Sequence, residues 1–128
     1  MSVTSDTAIA MTLRSLQQKL AEFAAEREWE QFHTPKNLAM ALAGESGELL
    51  EIFQWLTPEQ SAQVMQDDER AVQVSEEMAD VLAYLLRLAD VLDINLERAL
   101  AEKIEKNRRK YPVHLARGTA NKYTQLGE

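Results

Sequence analysis

The 128-residue sequence contains no cysteine. That excludes disulfide staples, thiolate metal sites and cysteine nucleophiles together, leaving carboxylates and two histidines as the metal-ligating side chains. Hard, oxygen-preferring cations are the ones such a chain can hold. Glycine occurs four times, proline three times, and aromatics make up 6%. So few turn formers and rings argue against a sandwich or barrel and for an all-α chain. Long apolar runs are missing as well: residues 81–86 form the most nearly apolar stretch, far short of the roughly 18–20 residues of a membrane span. The opening MSVTSDTAIA lacks the charged-then-apolar build of a secretory signal. These absences predict a cytoplasmic location and no membrane partner. At this length, with 45% apolar residues, one domain with a modest core is expected.

What is present is charge, unevenly spread. The net charge is −7, which as a global property opposes binding to nucleic-acid polymers. Along the chain it resolves into two regions. Residues 1–102 carry 7 Lys and Arg against 19 Asp and Glu, net −12, whereas residues 103–128 carry 7 against 2, net +5. Lys103, Lys106, Arg108, Arg109 and Lys110 fall close together. Such a cluster either complements a helix C-terminus or meets an anion such as phosphate.

Apolar spacing predicts four long helices. Ile9, Leu13, Leu16, Leu20 and Phe23 recur at intervals of four and three, giving a first helix over residues 6–28. Thr34-Pro35 reads as an N-cap with proline at the first helical position, opening a second helix over 35–55. Thr57-Pro58-Glu59-Gln60 repeats that signal with a capping-box glutamine, so a helical turn is expected there. Residues 66–71, polar and acidic, read as a mobile loop or frayed helix start. A third helix over 72–92 has Val74, Met78, Val81, Leu85, Leu88 and Leu92 as its seam, widened by Leu82, Leu86 and Ala89, as a central helix would. Asn95 caps a fourth, with Leu96, Leu100 and Ile104 as its stripe, which Tyr111-Pro112 ends. The expected architecture is a four-helix bundle over residues 1–115 with a weakly ordered tail over 116–128.

The informative positions are those where a stripe is interrupted by polarity. In the second helix the phase through Leu38 and Leu42 next meets Glu45 and resumes at Leu49; Glu48 lies one turn on. Their Cβ atoms can lie about 5–6 Å apart. In the third helix Glu77, Asp80 and Tyr84 lie within about 60° of one another beside the seam. The fourth stripe continues into Lys103, Asn107 and Lys110. Buried acids need a counter-charge, which a basic side chain or a divalent cation can supply. E-x-x-E facing E-x-x-D presents four hard oxygen donors, a partial shell for Mg²⁺ or Mn²⁺. Trp29 and Trp55 stand at helix ends, as packing anchors or as platforms for a planar base. His33 is either a hydrogen-bonding partner of that base or a loop histidine.

These residues together resemble a known family. Gly44-Glu45-Ser46-Gly47-Glu48-Leu49 followed by Glu77-Met78-Ala79-Asp80 is similar to the acidic signature of the MazG-like all-α nucleoside triphosphate pyrophosphohydrolases. The segments Phe23–His33, Pro35–Leu38, Glu51–Trp55, Lys103, Asn107-Arg108 and Tyr111–His114 resemble the dCTP pyrophosphatase branch. The resemblance covers about residues 10–115. It implies Mg²⁺-dependent hydrolysis of a (deoxy)nucleoside triphosphate, dCTP or a modified dCTP, to the monophosphate and pyrophosphate. Glu45, Glu48, Glu77 and Asp80 would hold the metal, which Mn²⁺ could replace, with Glu48 or Glu45 accepting the proton of the attacking water. Trp29, His33, Asn37, Trp55, Tyr84, Lys103, Asn107, Arg108 and Lys110 would bind substrate. It also implies a homodimer or homotetramer. The alternative is a non-catalytic helical dimer that binds nucleotides or a protein. A di-iron carboxylate bundle would need two Glu-x-x-His motifs, and only Glu30-Gln-Phe-His33 has that form.

Overall fold

The computed structural model describes residues 11–127, which form helices and turns with no strand among them. In chain order they are α1 (Leu13–Glu26), α2 (Pro35–Phe53), α3 (Pro58–Ala62), α4 (Asp68–Val91), α5 (Leu96–Lys110) and α6 (Val113–Ala116). Single 3-10 turns lie at Glu30–Phe32, Val64–Gln66 and Tyr123–Gln125. No helix among the described residues is long and apolar enough to cross a membrane. The chain divides into two compact units, Met1–Asp93 and Ile94–Glu128.

Short polar side chains set where five of the helices, α1 to α5, begin. The Thr12 hydroxyl accepts from the Ser15 N–H in a capping box, so α1 starts at Leu13; residues 6–10 of the expected first helix, Ile9 included, lie outside the described residues. Thr34 accepts from the Asn37 N–H at the start of α2, and Thr57 with Gln60 closes the expected capping box of α3. Asn95 accepts from the Arg98 N–H and opens α5 as expected. Each such cap contributes about 0.5–2 kcal/mol. Of the two readings of residues 66–71, the structure has the helix start and not the loop: Asp67 accepts from the Glu69 and Arg70 N–H groups and starts α4 at Asp68. The acids there complement the positive end of a helix, and that chemistry has the same composition as a polar loop. At the other ends, Glu28 and Asp93 take φ of +53° and +56° and turn the chain out of α1 and α4.

In the first unit α2 and α4 make the most extensive pairing, and α1 packs on α4. Ala24, Leu38, Val64, Val74, Leu86 and Ala89 are buried there. Gln17 of α1 donates from Nε2 to the Leu86 carbonyl at 2.8 Å, tying α1 to the last turns of α4. The expected seam of α4 is only partly core. Val74 is buried and Val81 and Leu88 half-buried, but Met78, Leu85 and Leu92 are exposed, as is Leu82. The apolar surface is wider than the face α2 covers, and Leu86 and Ala89 are buried on a flank where α1 packs. The middle of the stripe faces outward.

In the second unit α5 ends in Arg108, Arg109 and Lys110, at the negative end of its helix dipole. Its expected stripe is not core either: Leu100 and Ile104 are exposed and Leu96 is half-buried. The segment beyond residue 116 folds back on the end of α5. Tyr123 packs edge-on against Tyr111, centroids 6.0 Å apart, and Lys110 Nζ lies 4.8 Å from the Tyr123 ring centroid.

Candidate functional site

Glu45 and Glu48 lie on α2, and Glu77 and Asp80 on α4, the two helices that pair most extensively. One carboxylate oxygen from each of Glu45, Glu48 and Glu77 lies within 4.8 Å of the others. The three converge from two helices, as the interrupted stripes predict. Asp80 is more exposed and stands outside that trio, yet its charge acts on both Glu45 and Glu77. Gly44 and Gly47 flank the acids of α2, and a Cβ at either would meet nothing within 4 Å, so neither is demanded by packing within the chain.

Electrostatically the cluster is unfinished. Oε2 of Glu45 and Oε2 of Glu77 are both buried with no hydrogen-bond partner. Burial pushes the Glu45 carboxyl up to about 7, helped by hydrogen bonds with Glu48 and Glu77 and by the charges of Glu48 and Asp80. Glu77 is also raised, chiefly by burial; Glu48 and Asp80 push the same way, and its hydrogen bond with Glu45 opposes them. Among the described residues of the first unit the ion pairs are Arg27–Glu26, Arg70–Asp67 and Arg87–Asp90, and none involves these four acids. Among those residues no cationic side chain pairs with the cluster. Clustered carboxylates whose buried oxygens lack donors, and whose protons are held chiefly by burial and further by neighbouring acids, fit a hard divalent cation in donor type and in charge.

Among the other expected site residues the structure separates several environments. Trp55, just beyond α2, is 85% exposed, whereas Trp29 is 43% exposed and packs edge-on against Phe23 at 5.6 Å and near His33 at 6.5 Å. Trp29 is thus partly an anchor between α1 and the connector. Asn37 donates from Nδ2 to the Phe32 carbonyl at 3.0 Å, so its amide shapes that connector. Tyr84 is half-buried, one turn beyond Asp80 on α4. Lys103, Asn107, Arg108 and Lys110 all lie on α5 of the second unit: Lys103 is exposed, Asn107 half-buried, Arg108 pairs with Glu105 at 3.6 Å, and Lys110 meets Tyr123.

Sequence reasoning missed Arg87. It lies in the middle of the apolar run of α4, is 8% exposed, and donates from Nε to His33 Nδ1 at 3.1 Å and from Nη1 to Asp90 Oδ2 at 3.2 Å. The available signal was a single arginine among Leu85, Leu86, Leu88 and Ala89 with an acid three residues on.

Comparison with known proteins covers most of the chain. The model of the MazG-like family matches residues 41–126. The rat protein dCTP pyrophosphatase 1 (Rattus norvegicus) is 53% identical over 116 residues, 90% of this chain and 68% of its own length. The human protein of the same name is 51% identical with the same coverage. Among solved structures, a pyrophosphatase from Archaeoglobus fulgidus superposes with a TM-score of 0.72 at 48% identity, covering 77% of this chain and 91% of that one.

Proposed function

The chain belongs to the MazG-like family and is a nucleoside triphosphate pyrophosphohydrolase acting on dCTP-like substrates, and we propose how its residues carry the reaction. The observation that carries the proposal is the pair of buried, partnerless oxygens on Glu45 and Glu77, contributed by two facing helices. Glu45, Glu48, Glu77 and Asp80 hold Mg²⁺, with Mn²⁺ as a substitute. When bound, the cation neutralises charge on the triphosphate oxygens and polarises the reacting phosphoryl group.

The chain's own residues do the rest. Glu48, more open to solvent than Glu45, takes the proton of the attacking water as the α–β anhydride of dCTP is cleaved to dCMP and pyrophosphate. Trp55 and the open part of Trp29 enclose the base, since an indole face stacks on any base and leaves selection to edge hydrogen bonds. Tyr84 meets the sugar; in the second unit Lys103, Arg108 and Lys110 carry the positive charge, and Asn107 the amide N–H donor, that phosphate groups call for, which accounts for a basic segment in an acidic protein.

The same proposal makes the working form a homodimer or homotetramer in the cytoplasm. Met40 and Leu50 on α2 and Met78, Leu82 and Leu85 on α4 are large and exposed in one chain. Apolar surface on that scale is ordinarily covered by a partner.

Incubation with dCTP and Mg²⁺, with separation of products, tests the chemistry. Wild type yields dCMP and pyrophosphate, and Glu48→Gln lowers kcat by roughly 100-fold or more while helicity is kept. Full turnover by Glu48→Gln would remove Glu48 from the reaction.

A further inference from the structure

The connector between α1 and α2 is tied to α4 by a side chain the hydrolytic scheme leaves without a task. Arg87 is nearly buried, and its Nε donates to His33 Nδ1 at 3.1 Å while Nη1 donates to Asp90 at 3.2 Å. A buried guanidinium inside an apolar helix is less favourable than a leucine or methionine of similar volume, so its use there calls for an arrangement that an apolar side chain cannot hold. The arrangement is the orientation and protonation of one imidazole. An N–H facing Nδ1 needs a lone pair there, so the neutral ring carries its proton on Nε2. Nothing among the described residues accepts from Nε2.

The surroundings support the neutral form. Burial holds the His33 pKa below its usual value, the Arg87 charge acts in the same direction, and Glu30 in the adjoining turn opposes both. Asp90, the other charged group at this junction, is paired with Arg87 rather than with the ring. The imidazole centroid is 6.5 Å from Trp29, whose indole is half open. A fixed, neutral, unused N–H donor therefore stands beside an exposed aromatic face.

We propose that Arg87 is a positioning residue that locks His33 as a neutral Nε2–H donor toward an acceptor on the edge of the base bound against Trp29. This rests on the reading of Trp29 as part of the base site. The chemistry it selects is an aromatic base with a carbonyl oxygen or an unprotonated ring nitrogen at that edge, as a cytosine ring offers. A doubly protonated imidazolium could not accept from Arg87, and an Nδ1–H ring would turn an acceptor toward the base.

The test is a set of variants assayed on dCTP with Mg²⁺, with the tautomer of His33 read from its ring ¹⁵N shifts in nucleotide-free protein. Arg87→Met removes the donor, whereas Arg87→Gln places an amide N–H at the same distance along the side chain as Nε. The expected result is a KM raised roughly threefold to tenfold by Arg87→Met, the range of one lost hydrogen bond, with kcat within about twofold and recovery in Arg87→Gln. In a His33→Ala background, Arg87→Met adds nothing, because its effect passes through the ring. The wild-type ring shows the Nε2–H tautomer. An Nδ1–H ring in wild type overturns the proposal without recourse to any variant. So do effects of Arg87→Met and His33→Ala that multiply, or an Arg87→Met protein that melts earlier with KM unchanged, either of which assigns Arg87 to structure alone. A wild type that turns over dCTP but gives one of these results sinks this inference only; a wild type with no turnover sinks the hydrolase reading as well.

Discussion

Magnesium binding to the acidic cluster should release protons near neutral pH. An ordinary glutamate, ionised long before pH 7, has no proton to give. Glu45 differs because burial and the neighbouring acids raise its carboxyl to about 7. At pH 7 it is about half protonated, so a cation that requires the carboxylate expels about half a proton from this group. The release approaches one proton at pH 6 and falls to about a tenth at pH 8. Glu77 is shifted in the same direction, chiefly by burial. Over the acidic side of this range apparent affinity should fall about tenfold per pH unit for each coupled proton. Isothermal titration of Mg²⁺ or Mn²⁺ into the protein, repeated in buffers of different ionisation enthalpy, reads the proton number directly as the slope of heat against buffer enthalpy. Glu45→Gln should abolish most of the release and weaken binding. A wild-type slope of zero, with a dissociation constant unchanged between pH 6 and 8, would refute both the raised Glu45 and its place at the cation.

Three further outcomes follow from the same structure. In the metal-free protein the folded state keeps the Glu45 proton that the unfolded chain loses above its ordinary value of 4.5, so stability should fall as pH rises from about 4.5 to about 7 and then level; thermal melts in chelator should show the decline and saturating Mg²⁺ should remove it. Trp55→Ala, at a side chain 85% exposed, should change stability by less than about 0.5 kcal/mol yet raise KM for dCTP severalfold, and an unchanged KM would remove Trp55 from the base site. Leu38→Ala, at the most completely buried large side chain, 1% exposed, should lower the unfolding free energy by about 2–5 kcal/mol, measured by urea denaturation.

The helices themselves were largely legible because their signals are local. Thr34, Thr57 and Asn95 each satisfy a backbone N–H three residues ahead, and no distant contact is needed for that. Asp67 used the same chemistry but sat among other acids, where capping and loop composition look alike. The two carboxylate pairs were legible for a different reason: each interrupts an apolar period, and an interruption is visible without knowing the partner helix. Three of those four acids do converge.

The amino-acid sequence by itself determined that the chain is all-helical, where the caps fall, and which acids stand on the facing sides of α2 and α4, since these depend on spacing within one segment. Tertiary structure decided which part of a wide apolar stripe became core, because Met78, Leu85 and Leu86 are equally apolar and only the placement of α1 and α2 distinguishes them. It decided that two carboxylate oxygens would be buried without partners, since burial belongs to the packed pair of helices and to neither alone. It also joined His33 to Arg87 across 54 positions of chain, an association that no period or local motif encodes.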